Sequence, residues 1–108
     1  MIPRTALTRD RDAGTALVRA LRTMGAAFGL RVDSRADQPW ASATFVGTQH
    51  VVRIAAPAIP VVRSWLAALP EAPFALRGHI VADLSVDAIE PVAGELHATL
   101  SVLTLEET

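Results

Sequence analysis

Residues 74–105, FALRGHIVADLSVDAIEPVAGELHATLSVLTL, decide the fold of this chain. Apolar and polar residues alternate through two long runs, which are separated by the turn-rich residues 90–95. A period of two is typical of β-strands that have one buried face and one face nearer to solvent. The stretch therefore predicts two long antiparallel strands joined by a tight turn.

The same alternation predicts which side chains of the two strands are buried. In the first run the apolar parity comprises Phe74, Leu76, Ile80, Ala82, Leu84, Val86 and Ala88. In the second run it comprises Leu96, Ala98, Leu100 and Val102. We expect Leu84 and Leu100 to lie in the core, where they meet Leu21 and Leu66 from two helices.

Two amphipathic helices are predicted from apolar residues that recur at helical spacing. The first follows a polar entry with candidate caps at Thr8 and Asp10 and ends near residue 27. Its apolar side comprises Leu17, Leu21, Met24 and Phe28. The second spans about residues 58–69, and Pro60 suits its first turn because an N–H there has no helical partner to lose.

Residues 30–54 are predicted to form three short strands, at residues 30–35, 40–46 and 50–54. Turns are expected between them, around Pro39 and Gly47. The element order is then α-β-β-β-α-β-β. Because each helix has one apolar face, both helices should pack on the same side of a mainly antiparallel sheet. We expect residues 1–108 to form a single α+β domain, a two-layer sandwich.

The composition excludes several kinds of chemistry. The chain has no Cys and no Lys, so it has no disulfide, thiol nucleophile, thiolate metal site or Schiff-base lysine. A formal net charge of −1 predicts no nucleic-acid partner. No apolar run approaches the roughly 20 residues that would cross a membrane. We expect a soluble cytoplasmic protein that uses no cofactor and has no membrane partner.

Five side chains are candidates for binding a small ligand, namely Trp40, Trp65, His79, Asp83 and His97. His79 and Asp83 are four residues apart on one predicted strand, so they share a face but lie about 13 Å apart. That separation is too large for one metal ion unless His97 approaches from the neighbouring strand. The competing interpretation is a set of exposed polar residues, and we assign no metal ligand and no catalytic residue.

The sheet face opposite the helices is the main candidate for a functional surface. Strand alternation places Arg53, Val81, Leu103 and Leu105 there, a mixture too apolar for bare solvent. We therefore expect a non-enzymatic module that forms a homodimer or binds another protein. The alternative is a small-ligand-binding protein or minor enzyme, with a pocket between helices and sheet near Trp40, Trp65 and His79.

Overall fold

The computed structural model describes residues 12–107, in which two helices lie on one face of a four-stranded antiparallel sheet. The helices are α1 (Ala13–Met24) and α2 (Pro60–Ala68), and the strands are β1 (Arg31–Ala41), β2 (Val46–Pro57), β3 (His79–Val92) and β4 (Glu95–Glu106). The strand order is β1-β2-β4-β3, so β2 and β4 are central. The predicted α+β sandwich is confirmed.

The region between the helices forms two long strands, so the expected third strand is wrong and the order is α-β-β-α-β-β. β1 continues through the turn predicted at residues 36–39. Pro39 is tolerated there because β1 is an edge strand, where a missing N–H need not interrupt the ladder. The turn lies instead at residues 42–45, where the N–H of Ser42 donates to the carbonyl oxygen of Phe45 at 2.8 Å.

β2 likewise continues through the turn predicted around Gly47. This glycine marks a close approach between strands, because a Cβ atom there would lie 2.1 Å from the carbonyl oxygen of Thr104. The side chain of Leu105 also lies over it, with Cδ2 2.9 Å from the same ideal Cβ position. A glycine inside a strand commonly has this meaning, which sequence alone does not separate from a turn.

The first helix is capped by Asp12, whose carboxylate accepts a hydrogen bond from the N–H of Thr15 at 2.9 Å. The predicted caps Thr8 and Asp10 lie outside the described residues. Leu17 and Leu21 are completely buried, as their spacing predicts. After Gly25 the chain makes one 3-10 turn and leaves through Gly29.

The second helix starts at Pro60, in the first-turn position that the sequence predicts. Val62 and Leu66 of this helix are buried against the sheet, and Leu69 follows them in a short 3-10 turn. Trp65 packs edge-on against Phe28, with ring centroids 5.3 Å apart. This aromatic pair joins the second helix to the segment that follows the first.

The predicted parity is confirmed for all of β4 and for the middle of β3. The buried alternate residues comprise Leu84 in β3 and Leu96, Ala98, Leu100 and Val102 in β4. Elsewhere in β3, bulges between Val81 and Asp83 and between Val86 and Ala88 shift the register. Each bulge inserts an unpaired residue and reverses the parity beyond it. A third bulge lies in β1, between Val32 and Ser34.

Candidate functional site

The sheet face opposite the helices, called the outer face below, is organised in rows of directly paired residues. The row at one end is mostly apolar and comprises Trp40, Gly47, Leu105 and Ile80 from the four successive strands. The next row contains Leu103, and the row after it contains Val51. Ile80 is 45% exposed and Val51 is 39% exposed. This end therefore presents apolar side chains to solvent, with Gln49 and Asp83 beside Leu103 and with Ser101 beside Val51.

The other end of the outer face is charged. Arg31 donates to both carboxylate oxygens of Glu95, at 2.8 and 3.3 Å, and to Asp33 at 3.2 Å. The guanidinium of Arg31 holds the pKa of Glu95 below its ordinary value. Beside these groups, His97 stands in register with Glu90 of β3. Asp33, Arg53, Glu90, His97 and Thr99 are among the residues that line a hollow of about 320 Å³.

Charge is distributed unevenly across the width of the outer face. On the half of this face formed by β3, there are three acidic residues, Asp83, Asp87 and Glu90. The hydroxyls of Ser101 and Ser85 donate to Asp87 and lower the pKa of its carboxyl. Both arginines of the face, Arg31 and Arg53, lie in the opposite half, on β1 and β2, although Arg31 is already paired with Asp33 and Glu95. One edge is thus acidic, and the other contains the cations.

Three of the four predicted interface residues lie on the outer face, namely Arg53, Leu103 and Leu105. Leu105 is only 8% exposed, because it lies over Gly47 within its own sheet. The expected position of Val81 is wrong. Its partner is the buried Thr104, and it packs against the core on the helix side. The bulge that follows Val81 is the physical reason for this reversal.

The predicted ligand residues do not converge on one site. Trp40 is on the outer face, whereas Trp65 packs on the helix side, so the sheet separates them. His79 pairs with Glu106, on the helix side, while the bulge turns Asp83 to the outer face. His97 shares that face with Asp83. It lies six β4 residues from Asp83's partner, Leu103, a distance of about 20 Å.

A buried polar network, which the sequence pattern does not predict, lies on the helix side of the sheet. His50 has no exposed surface, and its Nδ1 lies 2.8 Å from Oδ1 of Asp37. Its Nε2 lies 2.8 Å from Oγ1 of Thr104, which is also fully buried. Thr104 is in turn 3.4 Å from the carbonyl oxygen of Thr48. The network thus joins three adjacent strands.

The network continues to the start of α1. Arg35 lies 3.2 Å from Asp37 and 3.5 Å from the capping carboxylate of Asp12. Partial burial alone would raise the pKa of Asp12, but hydrogen bonds from Thr15 and the nearby charge of Arg35 outweigh it. The pKa of Asp12 is therefore below its ordinary value. The ionised carboxylate secures the helix N-terminus to β1.

The order Asp37, His50, Thr104 matches that of a hydrolase triad, with threonine in the place of the nucleophile. A nucleophile must reach a substrate, and Thr104 has no exposed surface. The arrangement therefore acts as a structural link between strands. One feature of the sequence does indicate this network: His50 has the same strand parity as the buried residues Val52 and Ile54. A buried imidazole at such a position requires hydrogen-bond partners.

Two grooves flank α1 on the helix side. One, of about 730 Å³, lies between α1 and β1, and its lining includes Arg19, Arg22 and Arg35. The other, of about 600 Å³, lies between α1 and residues 73–77, and its lining includes Arg19, Phe74 and Arg77. The helix and the sheet thus enclose two grooves that are open to solvent, but neither groove is lined by Trp40 or Trp65.

Comparisons of the chain with protein families, with curated proteins and with solved structures find no match. Within residues 12–107, no three His, Asp or Glu side chains are grouped as a metal ion would require. No helix of that part of the chain has the length and apolar character to cross a membrane. The function must therefore be inferred from the surfaces themselves.

Proposed function

We propose that this protein is a non-enzymatic module that forms a homodimer through its outer face. The observation that carries the proposal is the apolar end of this face, around Leu103, Ile80 and Val51, which no element of residues 12–107 covers. Exposed apolar surface on a sheet that already packs helices on its other side is typical of an interface. The charged end of the same face supplies a polar margin.

The size of the face suits a stable dimer. Four strands at about 4.8 Å spacing give a width near 19 Å, and an 11-residue overlap gives a length near 36 Å. The product, roughly 700 Å², is close to the roughly 800 Å² that each partner buries in a standard interface. A smaller patch would support only a weak contact.

The edges of the sheet are poorly suited to association. β1 contains a bulge and Pro39, and β3 contains two bulges. Bulges and prolines on edge strands prevent the addition of a further strand. Self-association is therefore directed to the outer face and not to a sheet extended edge to edge.

The charge distribution favours one two-fold axis, parallel to the strands. Rotation about this axis keeps each row opposite the same row of the second copy, so the apolar ends meet. It also exchanges the two edges, because β3 of one copy lies over β1 of the other. The acidic residues of β3 then face the half that contains Arg31 and Arg53. Packing of twisted sheets at about −30° is compatible with this arrangement.

The test is a substitution in the centre of the apolar end. Leu103→Arg should give a folded monomer, because only the dimer would bury the guanidinium and the neighbouring Asp83 carboxylate away from water. Val61→Arg is the matched control, since Val61 is 56% exposed on α2 and should leave the dimer intact. Light scattering gives the mass and a thermal melt reports folding. A wild-type monomer at high concentration, or a dimeric Leu103→Arg protein that remains folded, would contradict the proposal.

A charge exchange tests the axis if Leu103→Arg unfolds the chain. Arg31→Glu and Glu90→Arg should each weaken the dimer, because this axis places Glu90 over Arg31 of the second copy and each change leaves like charges opposed there. The double variant should recover much of the lost affinity. Additive losses in the double variant would exclude an axis parallel to the strands. Sedimentation over a concentration series measures the dissociation constants.

A further inference from the structure

We infer that the groove between α1 and β1 binds a small organic anion, specifically a phosphate group carried on an apolar or aromatic body. This site lies on the helix side of the sheet and is independent of the dimer proposed above. Its lining comprises Thr15, Val18, Arg19, Arg22, Thr23, Ala26, Val32, Ser34 and Arg35. Three of these nine residues are arginines and none is acidic. A groove of about 730 Å³ falls within the size range of small-molecule sites.

Two of the three arginines have charges that the described part of the chain leaves uncompensated. The salt bridges within residues 12–107 involve neither Arg19 nor Arg22. They are three residues apart on α1, so they lie on the same side of the helix. Two guanidinium groups so placed can donate paired hydrogen bonds to the oxygens of one phosphate.

The third arginine is held in position by its own carboxylate partners. Arg35 lies between Asp37 and Asp12, at 3.2 and 3.5 Å, and so forms the wall of the groove opposite α1. Because its side chain is already ordered, little conformational entropy is lost when a ligand binds beside it. Arg35 thus offers N–H donors in a fixed position, while Asp12 and Asp37 compensate its charge, so the net positive charge of the groove comes from Arg19 and Arg22.

The remaining lining explains why the ligand should have an apolar body. Val18 and Val32 are partly buried in the groove, and Ala26 lies at its end. A bare inorganic anion would leave this surface in contact with water. A ligand that combines a phosphate with a ring or chain would use both the arginines and the valines. A basic residue near a helix C-terminus ordinarily stabilises the helix by interacting with its dipole, and Arg22 lies in the last turn of α1. That role does not explain the positions of Arg19 and Arg35 or the presence of the groove.

The experiment compares three probes by calorimetry, 1-naphthyl phosphate, inorganic phosphate and 1-naphthol. Naphthyl phosphate should bind saturably, inorganic phosphate more weakly, and naphthol least, because the site needs both the charge and the ring. Equal binding of naphthyl phosphate and naphthol would overturn the assignment of an anion site. The absence of saturable naphthyl phosphate binding would overturn the site altogether.

Variants locate the site. Arg19→Gln with Arg22→Gln should reduce the affinity for naphthyl phosphate by about tenfold or more, as the loss of charge-assisted hydrogen bonds implies. Arg63→Gln removes an arginine of α2 outside the groove and should leave the affinity unchanged. Arg77→Gln alters only the neighbouring groove. A loss of binding in Arg77→Gln with none in Arg22→Gln would place the ligand there and contradict this inference. Thermal melts of each variant confirm folding.

Discussion

His50 and Asp37 face each other across the β1–β2 ladder, with Nδ1 of the imidazole 2.8 Å from Oδ1 of the carboxylate. His50 is fully buried, whereas the side chain of Asp37 keeps 27% of its surface exposed. Because an ionised carboxylate can only accept, Nδ1 must carry the proton. This orients the ring and directs Nε2 to Thr104, so a partly hydrated residue fixes the geometry of a buried one.

The first prediction concerns the coupling between His50 and Thr104. Thr104→Val leaves the buried Nε2 without a partner, and His50→Leu leaves the buried hydroxyl with only the carbonyl oxygen of Thr48, 3.4 Å away. Each change should lower the free energy of unfolding by about 1–3 kcal/mol. The double variant should lose less than the sum, by about 0.5 kcal/mol or more, because both polar partners are then gone.

Urea unfolding followed by tryptophan fluorescence measures this cycle. Thr99→Val is the matched control, since Thr99 is a β4 residue on the outer face and should change stability by less than about 0.5 kcal/mol. Strictly additive losses at residues 50 and 104 would show that the two side chains do not interact.

The second prediction concerns acid sensitivity at Asp12. Its pKa is lowered in the folded protein from the ordinary value of 3.8, so the folded state favours the ionised carboxylate. The stabilisation is present at neutral pH and is lost as the pH falls through about 4 and below. Asp12→Asn still caps α1 but does not titrate, so its melting temperature should fall less between about pH 6 and pH 3.

The control for this experiment is Glu71→Gln, which removes an exposed carboxylate that forms no salt bridge within residues 12–107. Its acid profile should follow that of the wild type. An Asp12→Asn profile parallel to the wild type would mean that Asp12 contributes nothing to the pH dependence.

The third prediction concerns the close approach at Gly47. Gly47→Ala should destabilise the fold by about 1–3 kcal/mol, because the added methyl group meets the backbone of Thr104, which is not free to rotate away. Gln49→Ala, on the same strand and face, should change stability by less than about 0.5 kcal/mol. Hydrogen exchange of the β2–β4 amides would localise the effect. Equal stability of the two variants would mean that the strands can separate at no measurable penalty.

The sequence predicted the layers of the fold better than the positions of single side chains. Leu84 and Leu100 are buried as expected, because the strands are regular where these residues lie. The error at Val81 arises from a single bulge, which gives the residues before it the opposite parity to the residues between it and the second bulge. A bulge depends on the partner strand, and the alternation within one strand carries little information about that partner.

The candidate sites were harder to predict for a related reason. The network of Asp37, His50 and Thr104 comes from three strands, and its members meet only through the sheet register. The groove between α1 and β1 depends on how the helix lies over an edge strand. Arg19 and Arg22 lie outside the apolar stripe of their helix, and periodicity alone gives no reason to associate them with Arg35.

The seam between β2 and β4 has a consequence for how the chain folds. Each half of the described chain is a helix followed by a hairpin, and the backbones of the two hairpins pair only along this seam. Hairpin formation takes microseconds, whereas pairing Gly47 with Leu105 must close a long loop that contains α2 and β3. We expect two independently nucleated halves whose docking limits the folding rate. Stabilising either hairpin turn should therefore slow unfolding of that half without accelerating the docking step.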